Sequence, residues 1–268
     1  MYLWVVLLVF LLVLPVLLQI SHTVKYYVKF TIYYVFLTAI GSGVTILSLF
    51  KPKDLNNFSY AAVAFNLLRK AFGIHTEVIG MENLHSDEPY ILVSNHQSSL
   101  DLMGMAVIKP PNCTCLAKKE IKYAAGPFGL AIWLSGGIFI DRLDKEKAMS
   151  TMAETADIIN KNKCKVWIFP EGKRNHEGSL LPFKKGAFHL AVQAKVPIVP
   201  VVFSSYSGFY DKKKKHFDTG RFTITCLPPV PTTGMTSDDV GELTDKIYNR
   251  MLEVYNRTSP SPAGDSSQ

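Results

Sequence analysis

Seven consecutive residues, Asn95-His96-Gln97-Ser98-Ser99-Leu100-Asp101, hold a histidine and a carboxylate five positions apart. A carboxylate bonded to one imidazole nitrogen fixes the tautomer and leaves the other nitrogen to take a proton, for example from an alcohol. The spacing restricts how the two groups can meet. Five helical steps of ~100° leave side chains about 140° apart, so His96 must sit on a turn before a helix, with Asp101 in its first turn. Read alone, the pair fits a capped helix start beside a surface histidine better than it fits a catalytic centre. Its position favours chemistry: Tyr90-Ile91-Leu92-Val93-Ser94 reads as a buried strand running directly into Asn95, and α/β folds bind ligands at the C-terminal ends of strands. Ser98 and Ser99 raise the alternative of a serine hydrolase. No Gly-x-Ser-x-Gly turn is present, and a nucleophile two or three residues from its own base is hard to place.

Two further apolar runs end in basic residues. Phe169-Pro170-Glu171-Gly172-Lys173-Arg174 carries a glycine that permits close backbone approach and an arginine fork suited to a phosphate. Glu171 in that segment is placed to hold a substrate hydroxyl or to orient the arginine. Gly136-Gly137-Ile138-Phe139-Ile140-Asp141-Arg142 delivers another arginine at a strand end. A fourth segment, Val196-Pro197-Ile198-Val199-Pro200-Val201, is apolar enough to line an alkyl chain, although a core strand is its default reading.

These segments need a scaffold, and the alternation of apolar runs with helical stretches supplies an α/β one with a mixed, largely parallel sheet. Predicted strands are His75–Ile79, Tyr90–Ser94, Thr114–Ala117, Ile138–Ile140, Val166–Phe169, Ile198–Phe203 and Phe222–Leu227. Predicted helices are Phe58–Phe72, Asp101–Ile108, Ile121–Leu134, Lys145–Asn160, Lys184–Ala194 and Asp238–Tyr255, the last with Thr236, Ser237 and Asp238 as available caps. Pro200 inside its run predicts an edge, a bulge or a point of substrate approach. The four cysteines, Cys113, Cys115, Cys164 and Cys226, lack metal-site spacing and read as buried thiols, with Cys113 and Cys115 expected on opposite faces of a strand.

Composition separates the chain into an apolar beginning and a globular remainder. Hydrophobic residues make up 48% of 268 residues, and they concentrate at the start. Met1–Ile20 carries no charge, and a second uncharged run covers Phe30–Phe50. Each reaches roughly 30 Å as a helix, about the thickness of a bilayer's hydrocarbon core. The first run lacks a basic leader and a small-residue cleavage site, so a retained helical hairpin over residues 1–53 is expected rather than a signal peptide. A globular domain then spans 54–258, and a small, polar, disordered tail spans 259–268. Lys51, Lys53, Arg69 and Lys70 after the second run outnumber Lys25 and Lys29 in the connector, which favours a cytosolic globular domain. The 29 basic and 22 acidic residues leave a net charge of +7, suited to anionic headgroups or phosphorylated substrates. The basic residues are dispersed and no nucleic-acid motif accompanies them, so nucleic acid is not expected as a partner. The one dense run, Lys212 to Lys215, reads as a solvated loop.

Taken together and in order, the four segments resemble the blocks of the glycerolipid acyltransferases that include the lysophosphatidic acid (1-acylglycerol-3-phosphate) acyltransferases. The similarity extends through Asn95–Leu102 and Arg174–Leu190 towards the vertebrate alpha kind, and it covers roughly His75 to Val230. The resemblance implies a glycerolipid-acyltransferase fold and transfer of a fatty acyl group from acyl-CoA to the free hydroxyl of lysophosphatidic acid, giving phosphatidic acid. Acyl-CoA would be a co-substrate, with no cofactor and no metal, and the setting would be the endoplasmic reticulum membrane. Carried over by position, His96 would be the base and Asp101 its orienter. Lys118, Arg142, Glu171, Gly172 and Arg174 would contact the acceptor, and Pro200 falls in the fourth block. Main-chain N–H groups near Asn95 are candidates for facing the oxyanion. One position departs from the family: its third block usually reads Glu-Gly-Thr-Arg, and here Lys173 replaces the threonine.

Overall fold

The computed structural model describes residues 2, 4, 13 and 19–259. Helix α1 (His22–Phe50) leads into α2 (Asn57–Ala71), and the α/β order follows: β1 (Ile74–Ile79), β2 (Ile91–Ser94), α3 (Asp101–Ile108), β3 (Cys113–Lys118), α4 (Ile121–Ala124), α5 (Gly126–Leu134), β4 (Ile138–Ile140), α6 (Lys145–Asn162) and β5 (Lys165–Ile168). The chain continues through α7 (Gly186–Ala194), β6 (Ile198–Phe203), a short hairpin of β7 (Tyr210–Asp211) and β8 (His216–Phe217), β9 (Gly220–Cys226) and α8 (Val240–Thr258). The main sheet has seven strands in the order β1-β9-β6-β2-β5-β3-β4. All its neighbours are parallel except β6 and β9. Five strands therefore point one way, and β1 and β9 point the other.

Both faces of the sheet are covered, as its unbroken apolar strands require. Side chains alternate between two cores with the period of two that a strand imposes. Leu92, Trp167, Val199 and Val201 pack with residues of α1, α2, α3 and α5. Ile91, Val93, Val166, Ile168, Ile198 and Val202 pack with α6, α7 and α8. The same period corrects the expectation for the cysteines: Cys113 and Cys115, two residues apart, both face the α1–α3 side and line one cavity there. All four cysteines are free thiols.

Pro200 lies in an interior strand, paired with Val93 of β2, so the edge reading does not hold. Its missing N–H falls on the β9 side, where its carbonyl accepts from Leu227 as the chain leaves β9 for Pro228-Pro229. No ladder donor is needed there. The predicted helix Ile121–Leu134 is broken instead at Gly126, whose φ of +55° is left-handed, with Pro127 in the first turn of α5. The cap expected before α8 is reversed: Asp239 accepts from both the N–H and the hydroxyl of Thr236, at 2.7 and 3.0 Å. Lys212–Lys215 forms the turn between β7 and β8, where the N–H groups of Lys213 and Lys214 bind the Asp211 carboxylate.

Among the described residues one helix, α1, is long and apolar enough to cross a membrane. It begins eight residues before the uncharged run, because the Ser21 hydroxyl caps it by accepting from the N–H of Val24 and Lys25 pairs with Asp218 at 2.7 Å. The first apolar run, apart from a few positions, and the tail beyond Ser259 lie outside the described residues. One stripe of α1, Tyr26, Tyr33, Gly41, Val44 and Ser48, is buried against the domain. The opposite stripe, including Tyr27, Val35, Ile46 and Leu49, is exposed, and α2 continues it with Tyr60, Val63 and Leu67. Gly41 sets the closest approach: a Cβ there would come within 2.5 Å of the Phe128 backbone nitrogen and 2.9 Å of the Pro127 carbonyl carbon. Gly41→Val therefore separates α1 from α5. Overpacking of this kind costs about 1–3 kcal/mol, so the detergent-solubilised protein is expected to melt roughly 2–10 °C lower. An unchanged melting curve would show that α1 is not packed on α5 as described.

Candidate active site

Four neighbouring parallel strands end on one edge of the sheet, and each delivers a residue singled out from the sequence. β2 leads to His96, β5 to the Phe169–Arg174 segment, β3 to Lys118 and β4 to Arg142. The adjacency explains how segments far apart in the chain form one site: parallel strands side by side place their C-terminal loops side by side.

The loop after β2 is held by its own polar side chains. Asn95 extends the β2–β6 pairing by side chain, accepting from the Phe203 N–H at 2.8 Å and donating to the Phe203 carbonyl at 2.9 Å. The Gln97 amide donates to the carbonyls of Phe203 and Ser204. Asp101 opens α3 and is 1% exposed. Its Oδ2 accepts from the Gln97 N–H at 2.9 Å, from the Ser98 N–H at 3.1 Å and pairs with His96 Nδ1 at 2.6 Å. The awkward five-residue spacing is thus resolved by a turn that wraps three donors around one carboxylate. The imidazole stacks on Phe169, with ring centroids 4.0 Å apart and planes at 22°. With Nδ1 occupied by Asp101, Nε2 is the nitrogen left to exchange a proton with a substrate.

Glu171 is held by main chain on both sides. It is buried, its Oε1 accepts the His96 N–H at 2.7 Å and its Oε2 accepts the Leu181 N–H at 2.9 Å. Both oxygens face main chain, so the side chain staples the loop after β5 to the loop after β2. A second tie joins the same loops, from the Asn175 N–H to the His96 carbonyl at 2.8 Å. Arg142 donates to the Gly172 carbonyl and so ties the β4 end to this segment. Gly172 has φ +73°, and a Cβ there would meet the Lys184 side chain at 3.0 Å. Lys118, Lys173 and Arg174 are exposed at the same edge and form no salt bridge among the described residues. Pro200 is not brought to this constellation. It is buried within β6 and, by the strand period, faces the α6–α8 layer, whereas Phe169 and the His96 ring lie on the other side. The donors expected near Asn95 are also committed elsewhere: the N–H groups of His96, Gln97 and Ser98 bind Glu171 and Asp101.

Two features had no signal in the sequence. The Tyr33 hydroxyl of α1 donates to the Ser99 carbonyl at 2.6 Å, tying the apolar helix to the His96–Asp101 loop. Beside that loop, an apolar cavity opens between α2, α3 and β3, lined by Phe58, Phe65, Leu102, Met105, Cys115 and Trp167. Leu102 follows Asp101 directly, and the Trp167 indole is fixed by donating to the Ser94 hydroxyl at 2.7 Å. The cavity is thus lined by the residue that follows the buried carboxylate and by the strand that carries Phe169, without His96 itself in its wall. No spacing rule points to either feature, because both depend on where α1 and α2 dock.

Two variants test these arrangements. Asp101→Asn keeps the shape but removes the charge that orients the imidazole; turnover is expected to fall by about 10²–10⁴-fold with little change in acceptor KM. Turnover within a few-fold of the parent would remove Asp101 from the mechanism. Burial, opposed by the Leu181 and His96 N–H groups, raises the Glu171 pKa from 4.5 to about 7. A folded pKa above the unfolded one gives stability that is complete below about 4.5 and lost as pH rises through about 7. Melting curves across that range should show this decline in the parent and its absence in Glu171→Gln; parallel pH profiles would contradict the assignment.

Comparison with known proteins gives the same direction. A family model described as Acyltransferase matches residues 75–204. The chain is 43% identical to human 1-acyl-sn-glycerol-3-phosphate acyltransferase alpha over 94% of its length and 88% of the human protein. It is 38% identical to the Saccharomyces cerevisiae 1-acyl-sn-glycerol-3-phosphate acyltransferase over 81% of its length and 72% of the yeast protein. The crystal structure of the 1-acyl-sn-glycerophosphate (LPA) acyltransferase PlsC from Thermotoga maritima superposes with a TM-score of 0.68 at 22% identity, covering 93% of this chain and 99% of that one, which shows a shared fold. With identity of this level along nearly the whole chain, and three of the four blocks gathered on one sheet edge, the protein belongs to the 1-acyl-sn-glycerol-3-phosphate acyltransferase family.

Proposed function

We propose that this enzyme transfers a fatty acyl group from acyl-CoA to the 2-hydroxyl of 1-acylglycerol-3-phosphate, forming phosphatidic acid. The observation that carries the reading is the pairing of an oriented imidazole, His96 on Asp101 at 2.6 Å, with Arg174 on the neighbouring strand end, which forms no salt bridge among the described residues. A base without an anion site would suit many alcohols. A base beside such an arginine suits a hydroxyl on a phosphorylated molecule.

In the proposed reaction His96 Nε2 removes the proton from the acceptor hydroxyl as its oxygen attacks the thioester carbonyl. The tetrahedral intermediate collapses with loss of the CoA thiolate, which takes the proton from the imidazolium. A thiolate leaves readily, so no second acid is needed. Arg174, with Lys118, holds the acceptor phosphate, and Lys173 adds charge where relatives by resemblance carry a threonine. Glu171 and Arg142 act through the loops they join, and the cavity along Leu102, Met105 and Trp167 receives the acyl chain. Holding both partners in reacting geometry supplies much of the remaining acceleration.

The packing of α1 supports a setting for this chemistry. Its buried stripe follows the domain from Tyr26 to Ser48 while the opposite stripe is apolar and exposed. Residues 1–53 then anchor the domain at headgroup level, with the catalytic edge reaching a lipid acceptor that never crosses water. By resemblance the membrane is the endoplasmic reticulum and the domain faces the cytosol.

Purified protein supplied with labelled acyl-CoA and a panel of lysophospholipids, resolved by lipid chromatography, tests the reading. Labelled phosphatidic acid is the expected main product, and His96→Ala should lower its formation by at least about 10²-fold without altering detergent extraction or melting. Near-normal turnover by that variant would sink the mechanism, and a different labelled product would replace the acceptor.

A further inference from the structure

Past the end of α1 the chain turns sharply through Lys53, a non-glycine residue with φ +66°. The turn is held from both sides. The Lys53 N–H donates to the Leu134 carbonyl at 2.6 Å, and its ammonium donates to the Trp133 carbonyl at 2.8 Å. Lys53 thereby caps the C-terminal end of α5, where helix carbonyls concentrate negative potential.

The same ammonium lies 4.2 Å from the centroid of the Trp133 ring, and the ammonium of Lys122, from α4, lies 4.2 Å from that centroid as well. Each contact is favourable alone, but together they fix two cations around one indole. Burial and then the Lys122 charge hold Lys53 below its ordinary pKa. Neither lysine forms a salt bridge among the described residues. The cluster is thus a fixed, unneutralised pair of positive charges.

Asp54 and Glu120 lie nearby in sequence but pair with neither lysine, and the exposed side chains around the cluster include large apolar ones. Phe50 is 82% exposed, Tyr123 78% and Leu130 40%, and the Trp133 ring itself is 36% exposed. They continue into the exposed Ile46, Leu47 and Leu49 of α1. Indole and phenol rings beside lysines, bordering an apolar face, match the boundary between headgroups and acyl chains. A soluble anion would use the charges alone, whereas a phospholipid uses both the charges and the adjoining apolar surface.

We propose that Lys53, Lys122 and Trp133 form a headgroup site for an anionic phospholipid of the surrounding bilayer, whose chains lie along Phe50, Leu130 and the outward face of α1. The inference rests on the reading of α1 as membrane-embedded. None of the three residues belongs to the catalytic constellation.

The test uses the full chain in nanodiscs of phosphatidylcholine containing a minor fraction of phosphatidylglycerol, followed by gentle release and native mass spectrometry of retained lipid. The parent should retain phosphatidylglycerol in preference to phosphatidylcholine. Lys53→Gln and Lys122→Gln should each lower that preference by about fivefold, the double variant should lose it, and the double arginine variant should keep it. Equal retention by parent and double glutamine variant would overturn the site, as would absence of preference in the parent. Acyl transfer in pure phosphatidylcholine nanodiscs is measured alongside. It should be equal in all variants, so failure of the acyltransferase reading would register there, separately from failure of the lipid site.

Discussion

Asp101 is a carboxylate with almost no contact with water, and an ionised group so placed must be surrounded by donors. The loop between β2 and α3 is shaped by that requirement. Gln97 and Ser98 turn their N–H groups inward to reach it, and the His96 ring follows because Nδ1 completes the set. Once those amides face Asp101, the His96 N–H points the other way and needs its own acceptor, which Glu171 supplies from the next strand end. Glu171 in turn fixes Leu181, so the order of the whole edge propagates from one buried charge.

This explains why mutual support is denser than contact with solvent at the edge. Asn95 and Gln97 spend their amides on the end of β6, Arg142 on the Gly172 carbonyl, and Asn175 on the His96 carbonyl. The exposed Lys118, Lys173 and Arg174 there form no salt bridge among the described residues. A rigid frame with exposed cations at its rim is suited to drawing in an anionic group and holding it against a fixed base.

The sequence revealed the frame where local rules apply. Strand ends were legible from apolar runs, so the positions of His96, Arg142 and Arg174 on one edge followed from parallel order, and α3 began at Asp101 as the spacing required. It failed where the answer depends on what docks against what. Glu171 reads as holding a substrate hydroxyl or orienting the arginine, and nothing local shows that both its oxygens meet main chain. Pro200 reads as an edge, a bulge or a point of substrate approach, because the departure of β9 at Pro228, which removes the need for its N–H, lies far away in the chain. Opposite faces for the two cysteines of β3 run against the two-residue period, and the Gly126-Pro127 break lies inside a largely apolar stretch that otherwise reads as one helix. Tyr33, the α2–α3 cavity and the Lys53–Trp133–Lys122 cluster all depend on the seating of α1, which hydropathy marks as apolar without saying which stripe turns inward.

The hydrogen bond from Tyr33 to Ser99 gives that seating a mechanical meaning. Such a bond tolerates little stretching before it is lost. Any sliding or rolling of α1 by more than about an ångström must therefore break the bond or carry the Ser99 carbonyl with it. Ser99 lies three residues from the imidazole and two from the carboxylate that aims it. Helix α1 is in this sense the far end of a lever whose near end is the His96 imidazole. In the proposed membrane setting, bilayer thickness, which biases the tilt of an embedded helix, becomes a variable of the His96–Asp101 loop and not only of where the enzyme resides.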